Sequence, residues 1–236
     1  MNIIEKLHKQ NPILKPRGWK GVELQFLSEC LADQSGDVLI VGERGSEDGV
    51  LATVLDNKNI NKPVHCIDIQ SMDDTSDGVD ITYGREKIKQ GEIDFFNEDV
   101  VTWDAPKFYD HIACINVLEH FGFDRNGDLV EKDYDFKGFQ KMLSICGNSA
   151  VFTIPFNPFL TSDDIGIGGR TFGESRVAIL QVLARIFGFR IAYQQMYINV
   201  DKSDTYHPMP EYSIPPLYKV QDNHEYLIVL LFKRTN

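Results

Sequence analysis

One segment of the chain, residues 109–122, joins a buried strand to a polar turn. The run from Ile112 to Ile115 is almost wholly apolar, as in parallel strands whose two faces are covered by helices. Polar residues follow at once: Asn116, Glu119 and His120. Ligands of open α/β sheets bind at the carboxyl ends of the strands. The segment therefore predicts a parallel α/β sheet with these three side chains at its ligand-binding edge.

Strand-like runs and helical spacings alternate over most of the chain, which favours an α/β fold with helices on both faces of a mainly parallel sheet. No helix is predicted between the last two strands, so we expect these strands to form an antiparallel pair. Residues 70–91 are polar and predict a loop, with one short strand near residues 80–83. Gly147 and Asn148 predict the end of a helix. The predicted strands are 37–41, 64–68, 93–96, 110–116, 150–154, 189–200 and 225–232, and the predicted helices are 19–32, 49–55, 134–145 and 176–187. We divide the chain into an N-terminal arm and helix (1–36) and a main domain (37–236).

The net charge and the cysteine content reduce the number of function classes that fit the chain. A formal charge of −11 without a visible Lys/Arg cluster argues against nucleic acid or an anionic membrane as partner, and favours a small neutral or cationic substrate or a protein. The four cysteines show neither CxxC nor zinc-ligand spacing, so we expect reduced thiols and no metal site. No secretory signal and no apolar run of membrane-spanning length is visible, which predicts a cytoplasmic protein.

The loop after the first predicted strand carries glycines at positions 42, 45 and 49. Such loops bring backbone N–H groups close to a ligand. This one is neither GxGxxG, because Arg44 stands at the second glycine, nor a phosphate-binding loop ending in Gly-Lys-Ser/Thr. The alternative is a tight strand-to-helix turn that needs glycine for a positive φ.

Two acids follow the next two strands. Asp68 ends the second strand and can accept hydrogen bonds from both hydroxyls of a ribose, or cap a turn. Asp99 follows the third strand and can accept from an adenine amino group, or be a solvated loop acid.

Together these positions resemble the class I S-adenosylmethionine-dependent methyltransferases. The resemblance rests on residues 38–45 (VLIVGERG), 65–68 (HCID), 98–101 (EDVV) and 109–120 (YDHIACINVLEH), the last being the most specific. Residues 119–128, 153–156 and the helix from Arg176 to Phe187 further resemble a poorly characterised subgroup, whose members often occur near polysaccharide and other glycan-modifying genes. The similarity covers roughly residues 37–232.

The resemblance implies a Rossmann-like sheet of seven strands with an antiparallel last strand. It implies S-adenosylmethionine (SAM) as the cofactor, lying across Gly42, Glu43 and Gly45. The ribose would lie on Asp68. The adenine would lie near Asp99 and Val100, and the methionine part beside Asn116.

The chain departs from the family at two positions, one in the first strand and one in the loop that follows it. Ile40 stands where an acid helps to hold the methionine ammonium group, and Arg44 stands at the second glycine. Glu43 could partly replace the missing acid.

Methyl transfer to a hydroxyl group needs a base. His120 is the natural candidate, because histidine exchanges protons near neutral pH and this one directly follows the strand end. Glu119 could orient the imidazole or cap the next segment. A structural histidine bonded to backbone is the alternative.

Three other features each have a functional and a structural interpretation. The acidic loop 122–133 is a hydrogen-bonding surface for a polyhydroxylated acceptor, a site for a divalent ion held by oxygen ligands, or, the favoured interpretation, a solvated loop. The aromatic, proline-rich residues 201–218 form a lid or sugar platform, or else pack on the core or in a homodimer contact. Arg170 and Arg176 bind an anionic group of the acceptor or, the favoured interpretation, form surface ion pairs.

The leading prediction is a SAM-dependent methyltransferase acting on a small-molecule or carbohydrate acceptor, at a hydroxyl oxygen. Ile40 and Arg44 keep open a catalytically inactive binding or scaffold protein with the same fold. A nicotinamide-dependent enzyme is the third candidate, although GxGxxG and a Tyr-x-x-x-Lys pair are missing.

Overall fold

The computed structural model describes residues 18–44, 49–74, 80–124, 129–160, 164–166, 169–199, 207–208 and 225–235. The N-terminal arm, Gly45 and most of the 201–218 segment therefore lie outside the described residues. The helices are α1 (Gly18–Leu31), α2 (Val50–Leu55), α3 (Thr82–Lys89), α4 (Tyr134–Ser144) and α5 (Glu174–Ile186), with a 3₁₀ helix at Leu118–His120. The strands are β1 (Val38–Val41), β2 (Val64–Asp68), β3 (Ile93–Asn97), β4 (Tyr109–Ile115), β5 (Cys146–Pro155), β6 (Asp164–Gly166), β7 (Gly169–Thr171), β8 (Phe189–Asn199), β9 (His207–Pro208) and β10 (Glu225–Arg234).

Seven of these strands form the sheet that the sequence predicts. Their spatial order is β3-β2-β1-β4-β5-β10-β8, and the two-residue β9 extends the β8 edge. The five strands from β3 to β5 are parallel neighbours, whereas β10 runs antiparallel to both β5 and β8. The prediction of a mainly parallel sheet with an antiparallel last strand is confirmed. A separate hairpin pairs β6 with β7.

Alternating side chains of the strands enter two apolar layers, one on each face of the sheet. Leu39 and Val41 of β1 join the layer under α4 and α5, while Val38 and Ile40 join the layer under α1 and α2. Every β1 residue is thus buried, as the apolar run predicts for a strand covered on both sides. The packing fixes the register of the strands and so fixes which side chains emerge at their carboxyl ends.

Two local predictions are wrong. Residues 82–89 form helix α3 instead of a loop with a short strand, and Gly84 is its buried residue. Its N-terminal turn packs on the loop after β1, where a Cβ at position 84 would overlap the Arg44 carbonyl group. Gly147 and Asn148 do not lie in a turn, because α4 ends at Ser144 and β5 begins at Cys146.

All four cysteine thiols are free and buried. Burial raises the pKa of the thiols of Cys30, Cys66, Cys114 and Cys146 above that of an exposed thiol. Because thiolate is the reactive form, we expect the folded protein to resist a thiol-specific disulfide reagent, and four equivalents to react in denaturant. Rapid reaction of any thiol in the folded protein would contradict this arrangement.

No helix among the described residues is long and apolar enough to cross a bilayer. The division of the chain at residue 36 stays a prediction, although α1 supplies Phe26 and Leu27 to the layer shared with the sheet.

Candidate functional site

Predicted site residues lie at the carboxyl ends of four neighbouring parallel strands. Gly42 follows β1, Asp68 ends β2, Asp99 follows β3 and Asn116 follows β4. The backbone N–H of Gly42 donates to the Ile67 carbonyl oxygen at 2.8 Å, so the ends of β1 and β2 are in direct contact. The structure therefore brings these four positions to one edge of the sheet.

Gly42 is held in a conformation that favours glycine. Its φ is 76°, and a Cβ there would overlap both γ-methyl groups of Val117. The turn after β1 thus packs against the turn after β4, and no larger residue fits. Glu43 is half-buried next to it, and its charge adds to the effect of burial in raising the pKa of the Cys66 thiol.

Arg44, the residue that replaces the second glycine, is buried and directed at the loop after β2. Its Nη1 atom donates to the carbonyl oxygens of Ser71, at 3.5 Å, and Asp74. The guanidinium group therefore fastens the β1 loop to the β2 loop, a structural role that the sequence did not reveal.

Asp68 combines a turn contact with a half-buried position at the edge. Its Oδ1 atom accepts from the Gln70 N–H at 2.8 Å, which is the turn contact left open as an alternative. The Asn97 side chain donates to the carbonyl oxygens of Asp68 and Ile69, at 3.1 and 2.9 Å. These contacts fix the turn that carries the carboxylate, and an ionised carboxylate offers several acceptor positions.

Asp99 is held by two donors. Its Oδ1 atom accepts from the Val101 N–H at 2.9 Å, and its Oδ2 atom accepts from the Tyr134 hydroxyl group. Burial, reinforced by Asp99, raises the pKa of Tyr134 to about 12, so this hydroxyl keeps its proton. Val100 is buried in the core beside them. The contact with Tyr134 was not predicted.

Asn116 has an unusual backbone and an unmatched side chain. Its φ of 55° is left-handed, which asparagine tolerates better than most residues. Its N–H donates to the Thr153 carbonyl oxygen at 3.1 Å. Its Oδ1 atom is buried and has no hydrogen-bond partner within the described part of the chain. Native proteins rarely leave a buried acceptor unsatisfied, so Asn116 is suited to a ligand donor.

His120 and Glu119 lie side by side on the 3₁₀ helix but differ in exposure. The His120 side chain is 57% exposed, whereas the Glu119 side chain is 4% exposed. Their Nε2 and Oε1 atoms are 3.7 Å apart, too far for a hydrogen bond. Burial, with a smaller effect of the Glu23 charge, raises the pKa of Glu119 well above its ordinary value. A Cβ at Gly169 would lie 3.3 Å from His120 Nδ1, so the β6–β7 hairpin packs beside the imidazole.

Glu23 of α1 is a buried acid that sequence reasoning missed. Its Oε1 atom accepts from the Thr153 hydroxyl at 2.6 Å, and burial raises its pKa to about 7. The signal was present, because residue 23 precedes Phe26, Leu27 and Cys30 at the spacing of the buried helical face.

Arg170 and Arg176 are not surface residues, which corrects the favoured interpretation. Both are buried and share Asp135, which is 0% exposed. Arg170 Nη1 lies 3.0 Å from Asp135 Oδ1, and Arg176 Nε donates to Oδ2 at 2.8 Å. Each guanidinium group also donates to the Lys132 carbonyl oxygen. This buried cluster joins α4, β7 and α5 beneath the 3₁₀ helix.

Within the ranges that the structure describes, no group of three or more His, Cys, Asp or Glu side chains is arranged to bind a metal ion. The prediction that no metal is bound stays untested.

Known structures share this fold at low sequence identity. Small RNA methyltransferase HEN1 superposes with a TM-score of 0.62 at 13% identity, covering 96% of this chain and 26% of that one. The O-methyltransferase of a trans-AT PKS multienzyme of Brevibacillus brevis, in complex with S-adenosyl-L-homocysteine, gives 0.57 at 13%, covering 92% and 73%. The N-methyltransferase NodS from Bradyrhizobium japonicum, in complex with the same compound, gives 0.54 at 14%, covering 99% and 97%.

No protein-family profile matches the chain, and no curated protein matches it. At identities of 13–14% the structural likeness establishes architecture alone. The chain has the Rossmann-like methyltransferase fold.

Proposed function

We propose that this protein is a SAM-dependent methyltransferase that transfers a methyl group to a hydroxyl oxygen of a small-molecule or glycan acceptor. One observation carries the proposal: Gly42, Asp68, Asp99 and Asn116 converge at the carboxyl edge of a sheet with the methyltransferase fold. The neighbours with bound S-adenosyl-L-homocysteine (SAH), the demethylated form of the cofactor, support the choice of ligand.

The described residues fit this cofactor chemically. Asp68 offers a carboxylate to the ribose hydroxyls, and Asp99 offers an acceptor to the adenine, with the buried Val100 next to it in the chain. The unmatched Oδ1 atom of Asn116 offers an acceptor to the methionine part. Gly42 and Glu43 would line the cofactor from below, and we assign Gly45 to the same loop, although it lies outside the described residues.

When bound, SAM supplies an activated methyl group on a sulfonium centre. His120 would accept the proton of the acceptor hydroxyl group, because its side chain is more than half exposed next to the strand ends. Glu119, beneath it, would position the imidazole through its charge or its packing. The β6–β7 hairpin would limit the rotation of the imidazole through the contact at Gly169.

The proposed class of acceptor is supported by the net charge of the protein and by the sequence resemblance to one methyltransferase subgroup. The net charge of −11 favours a neutral or cationic acceptor, and the glycan-cluster subgroup suggested by the sequence favours a carbohydrate. A cytoplasmic location, the absence of nucleic-acid and membrane partners, and a homodimer built with residues 201–218 stay predictions.

A catalytically inactive scaffold is the second candidate, and one observation favours it. Strand β1 has Ile40 in place of an acid, and the second glycine of the following loop is replaced by Arg44, whose side chain is buried. Loss of cofactor binding would leave the fold intact.

Thermal unfolding separates these candidates. A ligand that binds only the folded state raises the melting midpoint, by about 2.7 kcal/mol of added stability at 100 times its dissociation constant. We expect SAM and SAH to raise the midpoint and NAD to leave it unchanged. No shift with SAM or SAH would favour the scaffold, and a shift with NAD alone would favour a nicotinamide enzyme.

Asp68→Ala should weaken SAH binding by about 10- to 100-fold, because hydrogen bonds to a charged group contribute about 1.5–3 kcal/mol each. Calorimetric titration measures the loss directly. Asp73→Ala is the matched control, since this nearby acid is 94% exposed and pairs with Arg85. Equal affinities of the two variants for SAH would remove Asp68 from the site.

A further inference from the structure

Two buried carboxyl groups approach each other beneath the edge of the sheet. Glu23 of α1 and Glu119 of the 3₁₀ helix are each 3% exposed. The Thr153 hydroxyl donates to Glu23 at 2.6 Å, and Thr153 also accepts the backbone N–H of Asn116. The charge of Glu23 contributes to the raised pKa of Glu119, so the two groups lie within electrostatic range.

Acceptors in this cluster outnumber the donors that reach them. Glu119 Oε2 and Asn116 Oδ1 are both buried, and both lack a hydrogen-bond partner among the described residues. These atoms belong to different side chains, three residues apart on the turn after β4. Buried unmatched acceptors are unfavourable, which points to a donor that the chain itself does not supply.

The basic side chains described near the cluster do not hydrogen-bond to its two unmatched atoms. His120 Nε2 lies 3.7 Å from Glu119 Oε1, beyond hydrogen-bonding distance, and its ring is mostly in solvent. Lys20 lies one turn before Glu23 on α1 and is exposed. Its charge is a smaller influence on Glu23 than burial and the Thr153 hydrogen bond.

A ligand group suited to this cluster donates several hydrogen bonds and carries a positive charge, which favours the ionised form of the two carboxyl groups. A primary ammonium group meets both needs, because it carries one charge and three N–H donors and accepts nothing. A divalent metal ion is less suited, since no group of three or more metal-binding side chains occurs here within the described residues.

The cluster also lies where a ligand of the proposed enzyme would reach it. Val117, between the two unmatched side chains, packs against Gly42 of the first loop. Thr153 lies on β5 opposite Ile115, at the carboxyl end of β4. Ile40 and Thr153 both face the α1 side of the sheet, because Ile40 pairs with Ala113 and Ala113 with Val151, two residues before Thr153. Glu23 thus brings a carboxyl group from α1 to the face of the sheet that carries Ile40. Ile40 is the β1 position at which the resembled family has an acid.

We propose that Glu23, Glu119 and Asn116 form a subsite for a primary ammonium group of a bound ligand. The subsite rests on the proposed function, which offers two sources of this group: the amino-acid part of SAM, or an amino substituent on the acceptor, as in an amino sugar. In either case the ammonium group donates to Glu119 Oε2 and Asn116 Oδ1, and the two carboxyl groups balance its charge.

Paired probes with and without the ammonium group test the subsite. For the cofactor, SAH is compared with 5′-methylthioadenosine, a nucleoside thioether that lacks the amino-acid part. For the acceptor, glucosamine is compared with glucose. Affinities are measured by calorimetry for the wild type, Glu23→Gln, Glu119→Gln and the control Glu29→Gln. Glu29 is a suitable control because it lies on the same helix and also has a buried oxygen without a partner in the described structure.

We expect the wild type to favour one ammonium-bearing probe over its neutral partner, and we expect Glu23→Gln and Glu119→Gln each to reduce that preference about tenfold. Glu29→Gln should keep it. If the variants lose only the preference for SAH over 5′-methylthioadenosine, the cofactor is the source of the ammonium group. If they lose only the preference for glucosamine over glucose, the acceptor is the source.

The subsite is overturned if neither pair is discriminated by the wild type, or if the preference survives in both variants. Failure of the proposed function looks different, because then neither SAH nor 5′-methylthioadenosine binds. Circular dichroism of each variant shows that the fold is kept, so a lost preference cannot be ascribed to unfolding.

Discussion

Replacing Asp135 by asparagine is expected to lower the free energy of unfolding by about 3–5 kcal/mol, the cost of breaking a buried ion pair by removing one partner. Asp135 is wholly buried, and both arginines that it contacts are buried with it. Without its charge, two guanidinium groups would stay in the interior after losing the buried carboxylate that they share. Urea unfolding at neutral pH measures the loss.

Asp133→Asn is the matched control for this prediction. Asp133 accepts from Arg176 at 3.3 Å, but its side chain is 61% exposed. Exposed ion pairs contribute about 0–1 kcal/mol, so the control should unfold nearly like the wild type. Equal stabilities of the Asp135 and Asp133 variants would show that the buried cluster does not hold the fold together.

The same cluster supports the site above it. Arg170 donates to the carbonyl oxygen of Phe121, the residue after the 3₁₀ helix, and Arg170 lies next to Gly169 in the hairpin beside His120. Because a catalytic base needs a fixed position, we interpret the cluster as the foundation of the turn that carries His120.

Replacing His120 by alanine is expected to lower the methyl-transfer rate by about 10²- to 10⁴-fold, the usual contribution of a general base. The affinity for SAH should stay unchanged, because the imidazole contacts the acceptor side of the proposed site. Production of SAH, followed with the cognate acceptor once it is identified, measures the rate.

The expected loss of rate would not arise from misfolding, because more than half of the His120 side chain is in solvent and its removal leaves no cavity. The variant should therefore melt close to the wild type. A rate within twofold of the wild type would assign the proton transfer to another group, and the imidazole would then be structural.

The sheet could be predicted because its strands are marked by apolar runs. Strand β2 has the predicted boundaries, residues 64–68. Strands β1 and β3 differ from prediction by one residue at one end, and β4 differs by one residue at both ends. Helix α3 escaped prediction because its stabilising contacts are tertiary. It is short and polar, and its one buried residue is a glycine that packs on the Arg44 backbone.

The site was predictable only where it follows strand ends. Asp68 and Asn116 could be placed because a parallel strand fixes the position of the residue after it. Glu23, by contrast, lies on helix α1, far from Thr153 in the sequence, and only folding brings the two side chains together in the proposed subsite. The same holds for Tyr134 at Asp99 and for the arginines at Asp135, whose contacts span 35 or more residues.

The central claim is that an adenosyl cofactor lies over the ends of the first four parallel strands. A crystal of the protein soaked with SAH tests it most directly. We expect electron density for the ribose against the Asp68 carboxylate, for the adenine near Asp99, and for the amino-acid part beside Asn116. A soaked crystal that diffracts well, yet shows no nucleoside along the edge between Gly42 and Asn116, would contradict it.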